Sequence, residues 1–198
     1  MFLEKLFNLI SPKSKLNKSL RILIVTNSIF VFAMGLFLPF YAVFVQKIGG
    51  NIAFAGLSWG LFQIVCGILT FWMADMQIHV KEQELILVLS YFLRGVVFAS
   101  YAFMSSWQQL LITQILWGVA AALSTPVFDG TYAKHTSENL SVLQWGSWEG
   151  IAAIAAGLAA LLGGVLIESF GFTSIFVSMS VISLFLGIYI WQLPREIL

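Results

Sequence analysis

Apolar residues gather in six long runs, at 22–46, 52–74, 85–104, 108–128, 143–167 and 172–192, with short polar breaks between them. A membrane-crossing helix needs about 20 mostly apolar residues, and each run reaches that length. None alternates polar and apolar positions as barrel strands do, so the pattern predicts helices. Each break has its own chemistry: Lys47 to Asn51 has a charge, two glycines and an amide, and Asp75 to Glu84 carries several charges. Ser105, Ser106 and Trp107 make a tight turn, Asp129 to Ser141 is a long polar linker, and Glu168 to Gly171 is a charged corner ending in glycine.

Residues 1–20 precede the first run as a leader, 21–193 hold the helices, and 194–198 form a short tail. In the leader, Phe2, Leu3, Leu6, Phe7 and Ile10 share one helical face and Glu4, Lys5 and Asn8 the other, with Pro12 ending the helix. Two readings stand side by side. One is an amphipathic helix on the inner leaflet, pinned by Lys13, Lys15 and Lys18; the other is a frayed leader that only fixes topology.

Composition removes most function classes. Hydrophobic residues make up 60% of the chain and charged residues 10%, with a mean hydropathy of +0.94. Soluble domains run near 45–50% apolar and about 25% charged, so a soluble enzyme and a disordered chain are both excluded. A net charge of +1 gives no field for nucleic acid. The single Cys66 permits no intrachain disulfide.

Basic residues set the orientation. Lys5, Lys13, Lys15, Lys18, Arg21, Lys81, Lys134 and Arg195 fall on one side when the runs are threaded in turn, against Lys47 on the other and Arg94 within a run. The positive-inside rule places both termini in the cytoplasm, in a bacterial-type inner (plasma) membrane.

Ionisable groups at membrane depth are costly and mark function by default. Arg94 and Glu149 lie within runs, and Asp129 at the cytoplasmic end of one. At about 1.5 Å per residue, Arg94 is roughly 13 Å deep and Glu149 roughly 9 Å, so the two are expected within reach of each other. Such a pair either holds substrate or a proton, or locks two helices together. Asp129 is either a cytoplasmic gate or a solvated helix end. Among neutral groups, Asn27, Met34 and Tyr41 recur at seven-residue spacing on one face. Gln114, Trp117, Ala121 and Ser124 share another face, and Gln63 sits midway along the second run. Asn27, Tyr41, Gln63, Gln114 and Trp117 are the candidate lining for a semi-polar organic solute, although aromatic residues also serve as core and as interfacial anchors. Gly56 and Gly60, Gly146 and Gly150, and the small residues through Gly157, Gly163 and Gly164 allow close helix approach. They serve packing within one bundle or the face that meets a second one.

Four stretches resemble the N-terminal half of a Major Facilitator Superfamily transporter. They are Leu38-Pro39-Phe40-Tyr41 followed by Ala55-Gly56-Leu57; Ala74-Asp75 closing the second run; Gly118 with Pro126; and Leu162-Gly163-Gly164-Val165-Leu166 before Phe170-Gly171-Phe172. The sequence departs from the family pattern at Phe71 and Met76, at Gln114 in place of an arginine, and at Ala159-Ala160 in place of a Gly-Pro pair. The resemblance implies an all-α membrane protein whose six transmembrane helices form two inverted three-helix repeats. It further implies that the first and fourth helices line a cavity and that the second and fifth face another half. Arg94, Asp129, Glu149 and Asp75 then become candidate coupling or gating groups, and Gly56, Gly60, Gly150, Gly157, Gly163 and Gly164 candidate packing positions between halves.

Enzymatic chemistry finds little support. His79 and His135 lie in loops, Ser147 lacks a nucleophile-elbow spacing, and no metal-ligand pattern or phosphate loop is present. No cofactor is expected. The expected function is secondary transport of a small organic solute by alternating access, with the bilayer and a second copy or another six-span half as partners. The alternatives are a non-transporting regulatory half and a truncated gene product.

Overall fold

The computed structural model describes residues 15–195 and 197–198. The expected leader helix before residue 15 lies outside them. The described chain is helical: α1 (Lys18–Gly35), a 3-10 turn (Leu38–Phe40), α2 (Tyr41–Lys47), α3 (Ile52–Gln77), α4 (Gln83–Ala102), α5 (Trp107–His135), a second 3-10 turn (Glu138–Leu140) and α6 (Ser141–Gln192). Among the described residues, five elements are long and apolar enough to cross a membrane: Lys18–Lys47, Ile52–Gln77, Gln83–Ala102, Trp107–His135 and Glu138–Gln192.

Local chemistry sets the boundaries. Asn17 and Asn51 start α1 and α3 by accepting hydrogen bonds from the backbone of Leu20 and Phe54, both at 2.8 Å. Ser106 and Gln109 form a capping box on α5. Pro39 lacks an N–H and its ring crowds the carbonyl four residues back, so the first membrane element is broken into α1 and α2. Gly49, at φ 86, reverses the chain into α3.

Two boundaries differ from the sequence pattern. The fourth run was expected to end at 128, but α5 continues to His135. Lys134 and His135 in the last turn favour a helix C-terminus, and the Tyr132 hydroxyl donates to the Gln144 carbonyl at 2.6 Å, tucking the polar end under α6. The fifth and sixth runs form one element, α6, where two were expected. It keeps helical geometry throughout except at Gly171, with φ 77 and ψ 172. A straight helix of 52 residues would extend about 78 Å, over twice the hydrocarbon thickness. The limb before Gly171 packs on α1, where Gly35 meets Ala156 and Ala159 and Gly163 meets the Leu36 backbone. The limb after it packs on α4, where Gly95 faces Leu184 and accepts a 2.8 Å hydrogen bond from Ser180.

One end of the bundle holds Asn17, which donates to the His135 carbonyl, Lys134, which donates to Gln83, and Arg195, which pairs with Glu82 and Glu84 at 3.8 Å each. The opposite end gathers Lys47, Ile48, Ser105 and Phe172. Between them the core is aromatic: Phe37, Phe44, Tyr101 and Phe176 interlock with ring centroids 4.8–5.8 Å apart.

Coverage is uneven. The most apolar stretches of α3 and α6 are each 17% buried, against 61% in α5. Phe71, Trp72, Leu161 and Val165 stand outward on them.

Candidate functional site

The buried arginine organises the polar interior. Leu87, Tyr91 and Arg94 recur along one face of α4, and Asn27, Phe30 and Val31 along one face of α1. Ser124, Thr125, Phe128 and Asp129 come from α5 and Trp148 from α6, and together these residues line a cavity of about 220 Å³. Arg94 is 7% exposed. Its Nη2 donates to Ser124 Oγ at 2.5 Å, and its guanidinium carbon lies 4.2 Å from the Phe30 ring centroid and 5.8 Å from that of Tyr91. These are cation–π distances, worth roughly 0.5–2 kcal/mol. A charged side chain at membrane depth costs at least about 2.5 kcal/mol, so hydroxyl and ring faces offset much of it.

Pro126 shapes the wall that Arg94 touches. Proline provides no N–H to the carbonyl of Ala122, four residues back in α5. Gln77, buried at the end of α3, directs its Nε2 to Ala122 and Leu123 carbonyls at 3.4 Å. Ser124 and Thr125 fold back on the Ala121 carbonyl at 3.1 and 3.0 Å. The proline turn therefore presents two hydroxyl residues and Asp129 along the cavity.

The expected Arg94–Glu149 pair is not among the ion pairs of the described residues. Glu149 lies on an exposed face of α6, and its charge acts on Asp129, itself exposed at the cavity rim. Arg94 and Asp129 thus share one cavity without an ion pair. Asp75 is exposed near the end of α3, where its backbone carbonyl accepts a hydrogen bond from His79 Nδ1 at 2.8 Å.

The five candidate lining residues divide three ways. Asn27 lines the Arg94 cavity. Tyr41, Gln114 and Trp117 are brought together in a sealed core: the Tyr41 hydroxyl bonds Ser58 at 2.7 Å and accepts from Gln114 Nε2. Trp117 is packed among Trp59, Phe62, Phe98 and Tyr101. Gln114 and Trp117 are 0% and 2% exposed, which leaves a solute no access to them in this conformation. Gln63 faces outward on α3. The packing glycines also divide. Gly163 and Gly164 press on Leu36 and Phe40, whereas Gly56, Gly60, Gly150 and Gly157 meet nothing within 4 Å.

Ser124, placed by its spacing on the Gln114–Trp117 face, instead holds Arg94, and the sequence pattern marks neither Phe30 nor Gln77 as a site residue. Phe30 nonetheless carries a legible signal, since it sits three residues after Asn27 on one helical face. Gln77 gives none, because its partner is a carbonyl created by a proline on another helix.

The sequence profile of the Major Facilitator Superfamily matches residues 23–197. The chain belongs to the Major Facilitator Superfamily. It is therefore an integral membrane protein of a transporter family. Two relatives carry the same family description. The MFS-type transporter YitZ of Bacillus subtilis is 26% identical over 157 residues, covering 79% of this chain and 95% of the relative. The MFS-type transporter MJ1560 of Methanocaldococcus jannaschii is 24% identical over 165 residues. That alignment covers 79% of this chain but 40% of the archaeal protein, so the chain spans about two fifths of that relative.

Proposed function

We propose that the chain is one half of a secondary transporter that moves a small organic solute by alternating access. The observation that carries this reading is the pairing of a polar interior cavity with two bare apolar helix faces. In a transporter of this superfamily, such faces belong against a second half. Gly56 and Gly60 on α3, and Gly150 and Gly157 on the first limb of α6, are open to a close-packed neighbour. A second copy is the simplest occupant, since symmetric pairs are the commonest closed assembly.

On this reading α6 crosses the membrane twice, turning at Gly171, which gives six crossings in two three-helix units of opposite orientation. Support comes from length and from the opposite partners of its two limbs. Both termini lie in the cytoplasm of a bacterial-type plasma membrane. The end holding Asn17, Lys134 and Arg195 also holds Lys15, Lys18 and Arg21, while Lys47 lies at the other.

Crosslinking tests the pairing. In a Cys66→Ser background, Gly157→Cys should be joined to a second copy by a short bis-maleimide in native membranes. Gly163→Cys, pressed against α1, should not. Equal crosslinking at both positions, or at neither, would contradict the proposed face.

A further inference from the structure

We propose that the cavity between α1, α4, α5 and α6 binds a small organic monocarboxylate, with its carboxylate on the Arg94 guanidinium and its apolar body between aromatic rings. The guanidinium is buried, forms no ion pair with a described carboxylate, and leaves its Nε without a hydrogen-bond partner. One Nη is held by Ser124 and one ring face is covered by Phe30, which fixes the orientation of the planar group. A fixed guanidinium with a free donor matches a carboxylate by charge-assisted, forked hydrogen bonding. The rest of the wall is suited to an apolar body, with Tyr91, Phe128 and Trp148 lining the same space.

Volume and charge narrow the class. About 220 Å³ is less than the roughly 300–1,000 Å³ of sites for drug-sized molecules, so the ligand is small. Asp129 stands on the same wall with Glu149 beside it. A second negative charge on the ligand would meet those carboxylates, so dianions are rejected. This site deepens the transporter reading by naming the substrate class, but binding is measured without transport. Carboxylate binding without uptake would therefore overturn the transport reading and leave the site standing.

The test uses the full chain in nanodiscs of zwitterionic phosphatidylcholine, with benzoate as probe, benzamide as its neutral counterpart and terephthalate as its dianion. Tryptophan fluorescence reports binding, and Trp148→Phe checks that the signal arises in the cavity. Benzoate is expected to saturate, with benzamide and terephthalate at least about tenfold weaker. Arg94→Gln should abolish the benzoate response, and Arg94→Lys should weaken it about tenfold. Because Arg94→Gln could fail to fold, a second measurement uses the unaltered chain: benzoate, and not benzamide, should slow phenylglyoxal labelling of Arg94. The proposal is overturned by a benzoate response matched by benzamide or by sodium chloride, by unchanged benzoate affinity in folded Arg94→Gln, or by labelling of Arg94 that benzoate does not slow.

Discussion

Trp117 and Arg94 are both buried in the same bundle, yet their surroundings give them opposite roles. Trp117 is enclosed by four aromatic neighbours and reaches no cavity. Its truncation to alanine should cost about 3–5 kcal/mol, the usual range for a large core aromatic. Thermal unfolding of the purified chain in detergent should show a large fall in Tm, with no change in which ligands protect the residual fold. A changed ligand preference at unchanged Tm would place Trp117 in the binding surface instead. Arg94 is in contact with a hydroxyl, two rings and open volume. The sequence made it conspicuous through cost alone. Its partners are less legible: Glu149 offers the obvious opposite charge, but α6 turns that carboxylate outward, and α5 and α1 supply Ser124 and Phe30 instead.

Among the elements, α5 and α6 show how one residue alters a whole helix. Pro126 removes a donor from Ala122, and Gln77 supplies one from α3. Gln77→Leu should therefore destabilise the chain by about 1 kcal/mol. In a Pro126→Ala background, where the backbone N–H returns, the same change should cost measurably less. A double-mutant cycle in detergent reads that coupling, and strict additivity would remove the Gln77–Ala122 link. Gly171 occupies a backbone region open essentially to glycine, and a Cβ there would meet no neighbour. Gly171→Ala should therefore cost about 1–3 kcal/mol through backbone strain alone. A Tm equal to that of the unaltered chain would mean that the turn relaxes elsewhere.

The apolar runs made the helices readable, because membrane length and lack of alternation leave few other structures. Their ends were less readable. Proline was visible at 39 and 126, but whether it breaks or bends a helix depends on what receives the freed carbonyl. At α1 the chain simply turns; in α5 a side chain from another helix repairs the gap. Likewise, α5 extends past the polar boundary at Asp129 because Tyr132 and Gln144 are joined across the turn.

At the scale of the whole molecule, coverage divides the helices into a closed core and an open face. Gly35, Gly95, Gly118 and Gly163 are filled by neighbours within the bundle, while Gly56, Gly60, Gly150 and Gly157 are open. Sequence spacing could identify all of these as packing positions, but only the assembled bundle separates inward from outward ones. A bulky side chain on the open face should leave the fold intact and prevent pairing. Gly157→Leu should therefore keep the Tm of the unpaired chain and shift its sedimentation to the smaller species. A Tm loss comparable to that of Trp117→Ala would place Gly157 in the internal core.

The most direct measurement is native mass spectrometry of the full 198-residue chain released from nanodiscs over a series of protein-to-lipid ratios. The pairing account predicts a species of twice the chain mass that persists on dilution and is lost in Gly157→Leu. A single-chain species at every ratio, with its helical fold intact, would contradict the claim that two copies of this half build the transporter.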